Sequence, residues 1–223
     1  MSKTLIKPKI YPMMILAGIE FVSVAILSAV FEVEFYNALP LLISAIIMFM
    51  QTRVNRYAFL IGSINSLIYA LAYFYMKLYG SMLSALLFSF PLQIVTFLNW
   101  QKHTHKGTTE IKRFSNKGRI YLFSAMAVIW IAMYIGFSAV GSSYVIWDNS
   151  VLVIGTAGTV LCTLRYSEYA ILNVISSVIN VVLFACMSAD DITKIIWLIY
   201  SVYCVICLAV TFKKTHNGIR REK

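Results

Sequence analysis

Long apolar runs, not alternation, organise this chain. Eight stretches of mainly apolar residues stand at 10–31, 36–52, 57–77, 80–100, 119–140, 144–164, 168–187 and 191–213. Each approaches the roughly 20 residues that a helix needs to cross a bilayer core. The pattern predicts an all-α membrane protein of about eight transmembrane helices. The second run is short and contains Pro40. Proline is tolerated in a membrane helix where neighbours satisfy the freed backbone groups.

The connections test that count. Taken alternately, one side receives 17 basic residues, from Lys3, Lys7 and Lys9 through Arg53, Arg56, the six from Lys102 to Arg119, and Arg165 to the C-terminal tail. The other side receives only Lys77 and Lys194, with Glu32, Glu34, Asp148, Asp190 and Asp191. One missed helix would move every later loop to the wrong side and scramble this split. Lysine and arginine mark the cytoplasmic face, so the chain is expected in a bacterial inner membrane with both termini in the cytoplasm. The N-terminal run is followed by no small-residue cleavage site, which predicts a first spanning helix and not a removable leader.

A shift of 112 positions superposes much of the chain on itself without a gap. Asn37 falls on Asn149, Arg53 on Arg165, Tyr57-Ala58 on Tyr169-Ala170, and Leu60 on Leu172. Equivalent positions are separated by four helices, an even number. The two halves then share one orientation, and a parallel repeat of this kind places a substrate between the halves near the midplane.

Composition sharpens the class. Hydrophobic residues make up 60% of the chain and charged residues 13%, well below the roughly 25% charge of a soluble domain. The net charge of +10 would suggest nucleic acid in a soluble protein. Here the basic residues sit between the apolar runs, as topology signals and contacts to anionic lipid. No nucleic-acid partner is expected. Cys162, Cys186, Cys204 and Cys207 read as small buried hydrophobes, and the C-x-x-C they include lies inside an apolar run. His103 and His105 form an H-x-H in a basic loop with no third ligand close in sequence, a solvated pair by preference. No metal or cofactor is expected. Phosphate-loop, zinc-protease and nucleophile-elbow motifs are missing from the sequence, so no enzyme chemistry is indicated.

Polar residues inside a bilayer are costly and therefore informative. In the seventh run Asn173, Ser176, Ser177 and Asn180 fall at i, i+3, i+4 and i+7, on one helical face. The third run carries Asn65 and Tyr69, four apart. The fourth carries Ser89, Gln93, Thr96 and Trp100, and the eighth Trp197, Tyr200, Ser201 and Tyr203. Such groups often serve as interhelical ties. Amides also offer donors and acceptors to a neutral polyhydroxylated or heterocyclic solute, and Tyr and Trp offer faces for stacking. The candidate substrate-binding set is Asn65, Tyr69, Gln93, Trp100, Asn173, Ser176, Asn180, Trp197 and Tyr200. Glu20 is the one acid well inside an apolar run. It could couple transport to protons or bond a neighbouring helix; with no His or Lys inside an apolar run to relay a proton, passive transport is expected.

The stretch Arg53-Val-Asn-Arg-Tyr-Ala-Phe-Leu-Ile-Gly62, with Asn65, Tyr69, Leu78-Tyr79-Gly80 and Phe97-Leu-Asn-Trp100, resembles the PnuC family of bacterial vitamin transporters. The resemblance spans about 37–214 and implies two parallel three-helix bundles joined by a linking helix. The expected division is 1–36 as tail and added helix, 37–100 as first bundle, 101–143 as loop and linking helix, 144–214 as second bundle and 215–223 as basic tail. The resemblance also implies a homotrimer and facilitated diffusion, with trapping by intracellular phosphorylation. Substrates in such a family include nicotinamide riboside, thiamine, riboflavin and deoxynucleosides. The nicotinamide riboside members resemble a W-x-x-W followed four residues on by Asn or Asp. Here those positions are Tyr169, Leu172 and Ser176, which brings a deoxynucleoside into contention. A reading from another class is a membrane-embedded enzyme or assembly subunit, which liposome uptake would separate from a carrier.

Overall fold

The computed structural model describes residues 10–52, 55–102, 104–105, 108–109 and 113–221. The helices, in order, are α1 (Ile10–Val30), α2 (Phe35–Thr52), α3 (Tyr57–Tyr75), α4 (Tyr79–Leu83), α5 (Phe90–Lys102), α6 (Asn116–Ala139), α7 (Val145–Thr163), α8 (Tyr169–Asp190) and α9 (Ile195–Arg221). Among the described residues, seven helical spans are long and apolar enough to cross a membrane, and Phe35–Gln51 adds a shorter apolar one. Each of the eight runs read from the sequence coincides with a span. A two-residue antiparallel hairpin pairs Thr104 with Thr109 and His105 with Thr108 in the long loop. His103 and the basic residues at 1–9, Arg53, Lys106 and Lys112 lie outside the described residues, so the H-x-H pair is not described as a unit.

The fourth span is not one uniform α-helix. Ser84–Ser89 is π-helical and joins α4 to α5. Its i→i+5 bonding widens the turn, a device common at functional sites. The run holds Ser81, Ser84, Ser89 and Pro91, but their spacing does not announce a π-helical turn.

α1 packs on α2 and α9, α6 packs on α7, and α4 and α5 also lie along α7. α6 has no buried residue; Ile120, Tyr121 and Val128 are all more than half exposed. On a soluble protein that surface would aggregate, whereas against lipid tails it costs nothing. The larger buried cluster joins Leu41 of α2, Ala72 of α3, Leu183 and Phe184 of α8 and Ile196 and Trp197 of α9.

The turns carry polar work. Ser115 caps α6, its hydroxyl accepting from the Gly118 amide at 3.2 Å. Glu32 and Tyr144, which precede α2 and α7, both take left-handed backbone conformations, φ 49 and 51. They stand 112 positions apart, the same offset that relates Tyr57 to Tyr169 at the starts of α3 and α8. Asp148, read from sequence as a charge on an outer loop, lies in the first turn of α7 and is fully buried. Three of the four cysteines are buried, whereas Cys186 is exposed on α8. That departs from the buried reading and leaves its thiol on an outward helix face.

Candidate functional site

A cavity of about 300 Å³ lies among the helices. Its wall takes Gln51 from α2, Ser66, Tyr69 and Tyr73 from α3, and Ser81 from α4. Ser84 and Ser89 come from the π-helical turn. The other half supplies Gly155 and Thr159 from α7, Asn173, Ser176, Ser177 and Asn180 from α8, and Trp197, Tyr200 and Ser201 from α9. Both halves of the chain contribute, and no described lining residue comes from α1 or α6. No Lys, Arg, Asp, Glu or His is among the described residues that line it.

One end of the wall is aromatic. Trp197 is 1% exposed and packs against three rings, Phe184 at 5.2 Å, Tyr73 at 5.4 Å and Tyr69 at 5.6 Å between centroids. Tyr69 stacks on Tyr73 and its hydroxyl donates to Ser44 Oγ at 2.8 Å. The Trp197 indole N–H is buried with no acceptor among the described residues. A buried donor without a partner costs free energy unless something else supplies the acceptor.

The amides divide into two kinds. Asn65 Nδ2 donates to Pro40 O at 2.9 Å and Ser44 Oγ at 2.8 Å, which ties α3 to the proline turn of α2. Asn149 Nδ2 donates to Trp130 O at 2.7 Å, tying α7 to α6. Asn173 and Asn180 line the cavity instead, and neither side chain has a hydrogen bond within the described protein. They sit two helical turns apart on one face of α8, roughly 10 Å along the axis.

Of the nine residues singled out from sequence, Tyr69, Asn173, Ser176, Asn180, Trp197 and Tyr200 are brought together on the cavity wall. Asn65 stands off it, in the α2–α3 tie. Gln93 stands behind it, donating to Ser66 Oγ at 3.0 Å. The side chain of Trp100 lies outside the described residues. Sequence reasoning passed over Tyr73, Ser81, Ser84 and Gln51. Tyr73 was findable, four residues beyond Tyr69 on the same face. Ser81 and Ser84 were not, because an α-helical register puts Ser84 on the face opposite Gln93, and the π-helical turn between them changes that register. Glu20 is 3% exposed, with neither carboxyl oxygen bonded, and lies near Tyr203, Cys204 and Cys207 of α9 behind the cavity wall. No group of three or more metal-ligating side chains occurs among the described residues.

The comparisons with known proteins agree on one lineage. The nicotinamide riboside transporter PnuC of Neisseria mucosa is 31% identical over 139 residues, which is 60% of this chain and 52% of that relative. The match therefore spans about half the length of the curated relative. The crystal structure of the vitamin B3 transporter PnuC superposes with a TM-score of 0.67 over 91% of each chain, at 21% identity. That likeness fixes the fold as a multi-pass helical membrane fold. The nicotinamide mononucleotide transporter model matches residues 10–213, and this chain belongs to that family.

Proposed function

We propose that this protein carries a nucleoside or vitamin-like solute across a bacterial inner membrane by facilitated diffusion, with both termini in the cytoplasm. The observation that carries this reading is the cavity itself. Two amides without partners among the described residues, several hydroxyls and a cluster of rings face one space of about 300 Å³, at the small end of ligand pockets. A base can stack on the rings and a sugar can bond the amides and hydroxyls. Nothing in that wall is an acid–base pair or a nucleophile beside a base, and the similar proteins carry transporter names. A carrier needs no such chemistry.

The absence of charge in the wall further narrows the solute. A phosphate drawn from water into this cavity would find no basic side chain among the described residues. Burying an unpaired charge is costly, so the substrate is the nucleoside and not its mononucleotide. Phosphorylation inside the cell would then trap the solute by spoiling its fit. The named relative carries nicotinamide riboside. Tyr169 and Leu172 stand outside the cavity wall, and a deoxynucleoside remains a second candidate beside thiamine and riboflavin. A homotrimer is the assembly that the family resemblance supports.

Proteoliposomes holding the purified protein test this. Labelled nicotinamide riboside and thymidine are offered in turn, with nicotinamide mononucleotide as the charged control. Equilibration of at least one nucleoside, with exclusion of the mononucleotide, supports the reading. Entry of the mononucleotide at an equal rate overturns the charge argument. Entry of none of these, nor of thiamine or riboflavin, overturns the carrier.

A further inference from the structure

Asn173 has no hydrogen bond within the described protein, yet its amide is closely held. A Cβ built on Gly158 would stand 2.2 Å from Asn173 Oδ1 and 3.2 Å from its Cγ. The amide oxygen therefore occupies space that every residue other than glycine would fill. The first half of the chain repeats the device. A Cβ on Gly62 would stand 2.1 Å from Gln93 Oε1, while Gln93 Nε2 donates to Ser66 Oγ on the cavity wall. In each case a glycine on one helix receives the oxygen of an amide from the next helix. The Gln93 nitrogen is taken up by Ser66, whereas Asn173, on the cavity wall, has no hydrogen bond within the described protein.

We propose that Gly158 is a positioning residue for solute binding: its missing side chain forms the notch that holds the Asn173 amide in its cavity-facing pose, with the NH2 group offered as a donor to the solute. This rests on the reading of the cavity as the solute site. The notch constrains the side chain and not the fold. The next atom that a Cβ at Gly158 would meet is Leu172 Cβ at 3.5 Å, an ordinary contact. An alanine there can be accommodated if Asn173 swings aside, and alanine is itself favoured over glycine in a helix interior. The cost then falls on the position of one amide.

The test is a double-mutant cycle on the full chain in detergent, using Gly158→Ala, Asn173→Ala and the double variant. Melting without ligand is measured first. Gly158→Ala should raise the melting temperature more in the Asn173→Ala background than in the wild type, because the obstructing oxygen is gone. Affinity is measured second, by calorimetry, with nicotinamide riboside, thymidine, thiamine and riboflavin in turn, and the solute that the wild type binds most tightly is carried through the cycle. Gly158→Ala should weaken its binding about tenfold when Asn173 is present, the size of one lost hydrogen bond, and not at all when Asn173 is already alanine. Equal effects of Gly158→Ala in both backgrounds overturn the proposal, since the glycine would then act on packing in general. If Asn173→Ala weakens binding and Gly158→Ala does not, the positioning role alone fails. If the wild type binds none of nicotinamide riboside, thymidine, thiamine and riboflavin, the solute-site reading fails and takes the positioning role with it; if Asn173→Ala binds as well as the wild type, the positioning role fails while that reading stands.

Discussion

Asp148 of α7 caps α4 through Ser81. Its Oδ1 accepts the Ser81 amide at 2.9 Å and the Ser81 hydroxyl as well, while Oδ2 accepts the Gly80 amide at 2.8 Å. The first amides of a helix have no partner within it, and a carboxylate there also meets the positive end of the helix dipole. α4 has no side-chain cap of its own, because Leu78 occupies the position. The cap arrives instead from another helix 67 residues later in the chain. Gly80 allows the approach: a Cβ there would stand 2.8 Å from Asp148 Oδ2.

Asp148→Ala should therefore destabilise the protein by about 3 kcal/mol, since it strands several buried donors at once. Melting in detergent checks this. A loss under 1 kcal/mol would mean that water replaces the carboxylate and the cap is dispensable.

The amides give a contrasting pair of effects. Asn173→Ala and Asn180→Ala should weaken solute binding by about 1–3 kcal/mol and leave stability near wild type. Asn65→Ala should do the reverse in kind, costing stability because Pro40 O and Ser44 Oγ lose a shared donor. Calorimetry and melting on the same three proteins separate the roles. If Asn65→Ala abolishes binding in a fully stable protein, the assignment of Asn65 to the helix tie is wrong.

α6 is suited to a topology test because its two ends are exposed and its 24 residues extend about 36 Å. Cysteine at Asn116 should resist a membrane-impermeant thiol reagent in intact cells, and cysteine at Val140 should react. The charge split between the two faces is the motive. The opposite labelling would invert the whole protein.

How much of this was legible from sequence follows from what each feature depends on. The helices depend on local apolar runs, so 57–77 anticipates Tyr57–Tyr75 and 144–164 anticipates Val145–Thr163. The α8 stripe also depends on local spacing, and Asn173, Ser176 and Asn180 do share the cavity wall. Asp148 depends on a partner far away in the chain, and a charged residue at the end of an apolar run looks like a loop residue until that partner is placed. The free and bonded amides are chemically identical in sequence. Only the position of α2 against α3 reveals that Asn65 is occupied.

The N-terminal end of α6 offers a pH test. Arg119 Nη2 lies 2.9 Å from Glu168 Oε1. Partial burial pushes the Glu168 carboxyl up, but the Arg119 guanidinium, its own backbone, the Ser167 hydroxyl and the Phe114 amide outweigh it and leave it below the usual carboxylate range. A depressed carboxylate stabilises the fold above its unfolded value and loses that contribution as pH falls through its folded one. Wild type should therefore melt slightly above Glu168→Gln at neutral pH, by up to about 1 kcal/mol for so exposed a pair. The gap should close on acidification below the usual glutamate range. A gap independent of pH would mean the tie works as a neutral hydrogen bond.

Transport should be passive, with Glu20 outside the coupling machinery. Glu20 is deeply buried in α1, a helix that gives none of the described residues of the cavity wall. A solute held by amides and rings also needs no counter-charge, so protonation of Glu20 has no direct contact through which to alter affinity. A ligand can shift a conformational equilibrium only through differential interaction with its states. The same requirement applies to a proton, and Glu20 stands near Tyr203, Cys204 and Cys207 of α9, of which Cys204 alone reaches the cavity wall among the described residues. An uncoupled carrier equalises concentrations and goes no further. Proteoliposomes loaded with and without a proton gradient should therefore reach the same plateau of labelled nucleoside, and Glu20→Gln should leave that plateau unchanged. Accumulation above equilibrium that needs the gradient and vanishes in Glu20→Gln would make Glu20 the coupling residue and α1 part of the transport mechanism.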